Sequence, residues 1–133
     1  MSRVLLRISS VLTALFALGH SMGYSHPRLD GAPGAVAAAM KSVHFQVFGV
    51  ERSYWDFFDG YGFLIILVAV YLAVVLWILS SREPVAVRPL ILATAALQIG
   101  FAVVGFRSFF WAPGAFNALS AACAIAAAAS RPA

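Results

Sequence analysis

Apolar and polar positions along this chain fall into long apolar runs broken by short polar interruptions. A helix that crosses a bilayer needs about 20 mostly apolar residues. Four stretches are long enough: Val4 to Tyr24, Tyr54 to Ser80, Pro89 to Trp111 and Gly114 to Ser130. Pro89 suits the first turn of a helix. Ser81–Arg88, with Glu83 and Pro84, reads as a polar loop, and the turn near Ala112 is tighter still. The third and fourth spans are therefore expected to be antiparallel neighbours. Arg3 and Arg7, the run Ile8–Leu18 and the small residues Ala17 and Gly19 resemble a secretory signal. Kept in the chain, that segment counts as the first span.

The piece between the first two spans differs. Ser25–Pro33 holds Pro27, Pro33, Asp30 and Gly31 and reads as a loop. Val36, Met40, Val43 and Val47, spaced by three or four, predict a short amphipathic helix over Gly34–Phe48 that Gly49 stops. It is too short to span and is expected to lie along the membrane surface or over the bundle's mouth. The expected fold is all-α: an integral membrane four-helix bundle with one extra short helix, forming a single transmembrane domain over residues 1–133.

Composition agrees with a bilayer environment. Of 133 residues, 62% are hydrophobic and only 11% charged, with a mean hydropathy of +0.91. A soluble domain of this size needs more charge to keep its surface in water. The net charge of +4 comes from nine scattered Lys and Arg, and no basic stripe suits a nucleic acid. Cys123 is the single cysteine, which excludes an internal disulfide and a cysteine-rich metal site. It sits in an Ala-rich run as a small packing residue.

Basic residues and aromatics set an expected orientation. Arg3, Arg7, Arg82, Arg88 and Arg131 fall on one side, and Arg28, Lys41, Arg52 and Arg107 on the other. The long first loop also carries Asp30 and Glu51. Short basic flanks dominate orientation, which places both termini in the cytoplasm. Tyr24, Tyr54, Trp55 and Trp111 then mark the outer interface and Trp77 the inner one.

Helices associate in lipid through small residues that let backbones approach. The fourth span offers Gly114, Ala118, Ala122, Ala126 and Ser130 at every fourth position, the third Ala96 and Gly100, the first Gly19 and Gly23. Spans three and four should form the tightest pair, crossing where Gly100 meets the Gly114–Ala118–Ala122 stripe. The second span, rich in Leu, Ile and Val, should face lipid most.

Intramembrane ionisable groups are costly and mark interiors or wet cavities. They are few here: His20, Asp56, Asp59 and Arg107, with Gln98 and Asn117 as neutral polar company. At about 1.5 Å per residue, His20, Arg107 and Asn117 each fall about 6 Å inside their helix ends, Asp59 about 9 Å and Asp56 about 4.5 Å. Four helices thus bring a polar side chain to nearly one level. His20, Asp56, Asp59 and Arg107 are the candidate catalytic groups, with His44, Gln98, Asn117 and Tyr61 as candidate binding residues. Plainer roles stand beside these. Ser53 and Asp56 match a capping box, Asp59 and Arg107 can form a structural ion pair, Arg107 can snorkel, and His20, Gln98 and Asn117 can be interhelix glue. His44 is expected on the extramembrane helix, in register with Lys41 and Phe48.

The blocks FALGHSMGY, MKSVHF and RSYWDFFDGYG resemble a family of small four-span bacterial membrane proteins. The resemblance implies a bacterial cytoplasmic membrane and brings no activity, so it assigns no role to His20, His44, Arg52, Asp56 or Asp59.

Two functions follow. The first is an enzyme or binding protein for a hydrophobic small molecule entering from the outer leaflet, with Asp59 or His20 as base and Arg107 stabilising negative charge. The second is a non-enzymatic subunit of a larger membrane assembly, or of a homo-oligomer, surrounded by membrane lipids. No phosphate loop, H-E-x-x-H or Cys/His metal pattern occurs, so no cofactor or metal is expected. Transport is disfavoured because the inner half of the spans reads as almost wholly apolar.

Overall fold

A computed structural model describes residues 2–25 and 30–130; Arg28 and Arg131, used above for orientation, lie outside them. The order is α1 (Ser2–Ser25), α2 (Gly31–Ser42), β1 (His44–Val47), β2 (Val50–Ser53), α3 (Tyr54–Leu79), α4 (Pro84–Ser108) and α5 (Trp111–Ala129). Helices α1, α3, α4 and α5 are long and apolar enough to cross a membrane, and the protein is a multi-pass membrane bundle. At about 1.5 Å per residue, even α5, with 19 residues, approaches the hydrocarbon thickness of about 30 Å.

The helices pack as neighbours in the order α3, α1, α5, α4, and α3 and α4 touch much less. All four meet at the end carrying the Ser80–Glu83 connection, hereafter the terminal end. There Leu6, Leu76, Leu79, Ile91, Ala95, Ala124, Ala127 and Ala128 form one core. Towards the opposite, hairpin end, a second core joins Phe16 and Ala17 of α1 to Ala69 of α3, with Ile65 and Phe116 against it. As expected, α4 and α5 form the most extensive pair, and α3 buries the smallest share of its apolar window.

Several boundaries moved for identifiable reasons. Helix α4 starts at Pro84, where a proline gives up no helical bond, so Pro89 lies inside it. Helix α5 starts at Trp111 and takes Pro113 into its first turn, where the missing N–H is again free of cost. The predicted helix over Gly34–Phe48 is instead α2 followed by a hairpin. Its strands pair antiparallel, with His44 opposite Ser53 and Val47 opposite Val50. Phe48 and Gly49 make the connection with φ of 49° and 82°, the positive pair of a two-residue turn whose twist matches the strands. His44 is therefore a strand residue rather than a helical one.

The packing face of α5 is rotated from the predicted stripe. Gly114, Asn117, Ala121, Ala124 and Ala128 are buried, whereas Ala122 and Ala126 are exposed. Steps of three and four keep a straight helix face on its neighbours; a strict four-residue step drifts around the helix. The close approach is also not at Gly100, which has open space around it, as have Gly19 and Gly23. It lies at the α4–α5 turn, where a Cβ on Gly105 would sit 2.7 Å from the Gly114 backbone nitrogen.

Candidate functional site

At the hairpin end, α1 clasps α3. His20 and Tyr24 lie one turn apart on α1, which puts both on one face. The Tyr24 hydroxyl donates to Asp59 Oδ1 at 2.6 Å, and His20 Nε2–H donates to the Gly62 carbonyl at 3.2 Å. The second bond fixes the proton of a neutral imidazole on Nε2. Tyr24 lies so close over Gly62 that a Cβ there would come within 2.5 Å of its ring. Gly62, three residues beyond Asp59, therefore allows the ring to reach the carboxylate.

Asp56 closes the start of α3. Its Oδ2 accepts from the Ser53 backbone N–H at 2.7 Å and from the Ser53 hydroxyl at 3.0 Å. The Asp56 N–H in turn donates to Ser53 Oγ at 3.2 Å. This is the capping box expected of S-x-x-D at a helix start. The hairpin is held beside it by aromatic contact, with Phe45 4.8 Å from Tyr54 and 5.8 Å from Phe57 between ring centroids. Lys41 Nζ lies 4.3 Å from the Trp55 ring centroid and ties α2 to the same place.

The remaining candidates do not converge on this clasp. Arg107 is exposed in the last turn of α4, which ends at Ser108 instead of Trp111. A cation there is favoured by the helix C-terminus. The expected Asp59–Arg107 contact is not formed, and Tyr24 takes the carboxylate. Asn117 is buried but donates to the Pro113 carbonyl of its own helix at 2.9 Å, so this bond joins no second helix. Tyr61 is exposed and follows Phe57 along α3, with ring centroids 6.5 Å apart. His44 is exposed, and its Nδ1–H donates to the Ser42 carbonyl at 3.0 Å. Among the described residues, no three of His, Cys, Asp and Glu gather closely enough to hold a metal ion.

Of the most deeply buried polar group, the sequence reading singles out only Gln98, whose role as interhelix glue the structure shows, and misses its partners. Ser9 and Thr13 of α1, Gln98 of α4 and Ser120 of α5 form one cluster, each at 1% exposure or less. Thr13, Gln98 and Ser120 lie near the midpoints of their helices. Ser9 Oγ donates to the Ser120 carbonyl at 2.9 Å, and Ser120 Oγ to the Ser9 carbonyl at 2.9 Å. Thr13 Oγ1 reaches Ser120 Oγ at 2.9 Å, and Gln98 Nε2 donates to Thr13 Oγ1 at 2.8 Å. Ser10 extends the polar layer by donating to the Ala73 carbonyl of α3 at 2.7 Å. Ser9 and Ser10 carry polar groups into the half nearer the terminal end, which the sequence reading takes as almost wholly apolar. The available signal was Ser9 and Thr13 at a four-residue step, one helical face, in a chain with few other intramembrane polar groups.

No protein-family model, curated protein or solved structure matches the chain.

Proposed function

We propose that this protein is a non-enzymatic membrane subunit, whose polar side chains join and cap its helices and whose partners are other membrane subunits. The observation that carries this reading is the use of the candidate acid–base groups. Asp56 caps α3, while Asp59 and His20 hold α3 against α1. Arg107 stands apart on α4. A general acid–base site needs such groups to converge on one reacting atom; here they are spread over separate structural tasks.

The environment is the cytoplasmic membrane of a bacterium, with the terminal end facing the cytoplasm. Arg3, Arg7, Arg82 and Arg88 support this side. Arg3 Nε donates to the Ser80 carbonyl at 3.3 Å, and Arg7 lies 5.0 Å from the Trp77 ring centroid, an arrangement that suits an interface. A cysteine at Pro84, in a Cys123→Ser background, should resist a membrane-impermeant thiol reagent added outside. Labelling from outside would reverse the orientation.

Native mass spectrometry of gently extracted full-length protein tests the function. The expected result is a hetero- or homo-assembly. A monomer carrying a stoichiometric organic molecule would instead support the reading as a binding protein or enzyme for a lipid-phase compound.

A further inference from the structure

The side-chain amide of Gln98 is wholly buried, and its Oε1 has no hydrogen-bond partner in the protein. The amide's orientation follows from its neighbours. Thr13 Oγ1–H is directed to the Ser9 carbonyl at 2.8 Å or to Ser120 Oγ, which leaves a Thr13 lone pair to accept from Gln98 Nε2–H. Turning the amide over would take both Gln98 N–H groups away from the Thr13 acceptor and draw the Thr13 proton from the Ser9 carbonyl. Gln98 Oε1 is thus the buried atom left without a donor. A buried carbonyl without a donor loses the hydrogen bond it makes in water, and in hydrocarbon no solvent makes up the difference.

The chemistry of the cluster indicates what fits. Three hydroxyls, one amide and the Ser9 and Ser120 carbonyls present more acceptor lone pairs than protons. The guest must therefore donate. Gln98, Thr13, Ser9 and Ser120 are sealed from solvent, so the guest must also be small. We propose that the bundle binds one water molecule near the middle of the membrane, donating to Gln98 Oε1, with a hydroxyl oxygen of the cluster as a second acceptor. A water needs two or more such partners to be held inside a protein. Bound there, it links α4 to the α1–α5 seam through a group that no side chain supplies.

The full-length protein, labelled with 13C at glutamine Cδ, can be placed in phosphatidylcholine bilayers, whose lipids carry no hydroxyl group. Gln46, exposed on the hairpin, is the only other glutamine, and Gln46→Ser leaves a single Cδ resonance. Water-edited solid-state NMR should show magnetisation transfer from water to Gln98 Cδ. The resonance should lie downfield, as for a hydrogen-bonded carbonyl, and shift on exchange into D2O. Absence of both transfer and isotope shift overturns the proposal. So does a downfield shift that appears only after a long-chain alcohol is added to the bilayer, since that assigns the donor to a lipid-phase hydroxyl.

Discussion

Gly105 of α4 and Gly114 of α5 are in backbone contact: a Cβ on Gly105 would lie 2.7 Å from the Gly114 nitrogen and 3.0 Å from its Cα. The approach lets a connection of two residues, Phe109 and Phe110, reverse the chain between two membrane-length helices.

Gly105→Ala should therefore destabilise by about 1–3 kcal/mol, the usual cost of overpacking, because backbone atoms cannot turn aside. Gly114→Ala meets the Phe106 ring, and Phe106 is exposed, so rotation can relieve part of that clash. Gly100→Ala has open space and should gain up to about 1 kcal/mol of helix propensity. Thermal unfolding in detergent ranks the three. Equal effects at Gly100 and Gly105 would place the seam elsewhere.

The rotated face of α5 gives a second contrast. Ala121→Leu and Ala124→Leu add volume at positions with 2% and 0% exposure and should each cost about 1–3 kcal/mol. Ala122→Leu and Ala126→Leu, at exposed positions, should leave the unfolding midpoint nearly unchanged. The reverse order would restore the four-residue stripe as the packing face.

The clasp between α1 and α3 is testable by a double-mutant cycle. Tyr24→Phe and Asp59→Ala should each lower the unfolding midpoint, and the double variant should lose no more than the worse single one, as expected of groups that act through one bond. Arg107→Gln should change little. If instead Arg107→Gln couples to Asp59→Ala, the ion pair exists in the bilayer and Tyr24 is not the carboxylate's partner.

The spans were legible because a bilayer demands one repeated thing, an apolar run about 30 Å long, and α1, α3, α4 and α5 each show it without help from tertiary contacts. Asp56 was also legible, since a capping box is a local contact within four residues. The rest depended on rotation about helix axes. Gly62 cannot be recognised as the seat of Tyr24 from its neighbours in sequence, nor Ser120 as the partner of Ser9 and Thr13. Depth along a span follows from counting residues; azimuth does not. Asp59 and Arg107 were therefore placed at similar levels, while Tyr24, the residue that reaches Asp59, served in the sequence reading only as an interface marker.

The hairpin was misread for a different reason. Val36, Met40, Val43 and Val47 satisfy a helical period by chance across an element boundary, since α2 stops at Ser42. The turn that follows makes its own prediction. Phe48 holds φ at 49° with its side chain fully exposed, a conformation that costs an L-residue roughly 1–2 kcal/mol and that Asn or Gly adopts more readily. The ring contributes no buried area within the protein, so Phe48→Asn should strengthen the hairpin in detergent. Gly49→Ala, at φ 82°, should weaken it by about 1 kcal/mol or more. Hydrogen exchange at the cross-strand pair Gln46 and Glu51 reads both effects locally: slower for Phe48→Asn, faster for Gly49→Ala. Unchanged exchange in the Gly49 variant would mean that the chain does not reverse at Phe48–Gly49. Residues 43–48 would then have to continue α2, as the periodicity alone suggested.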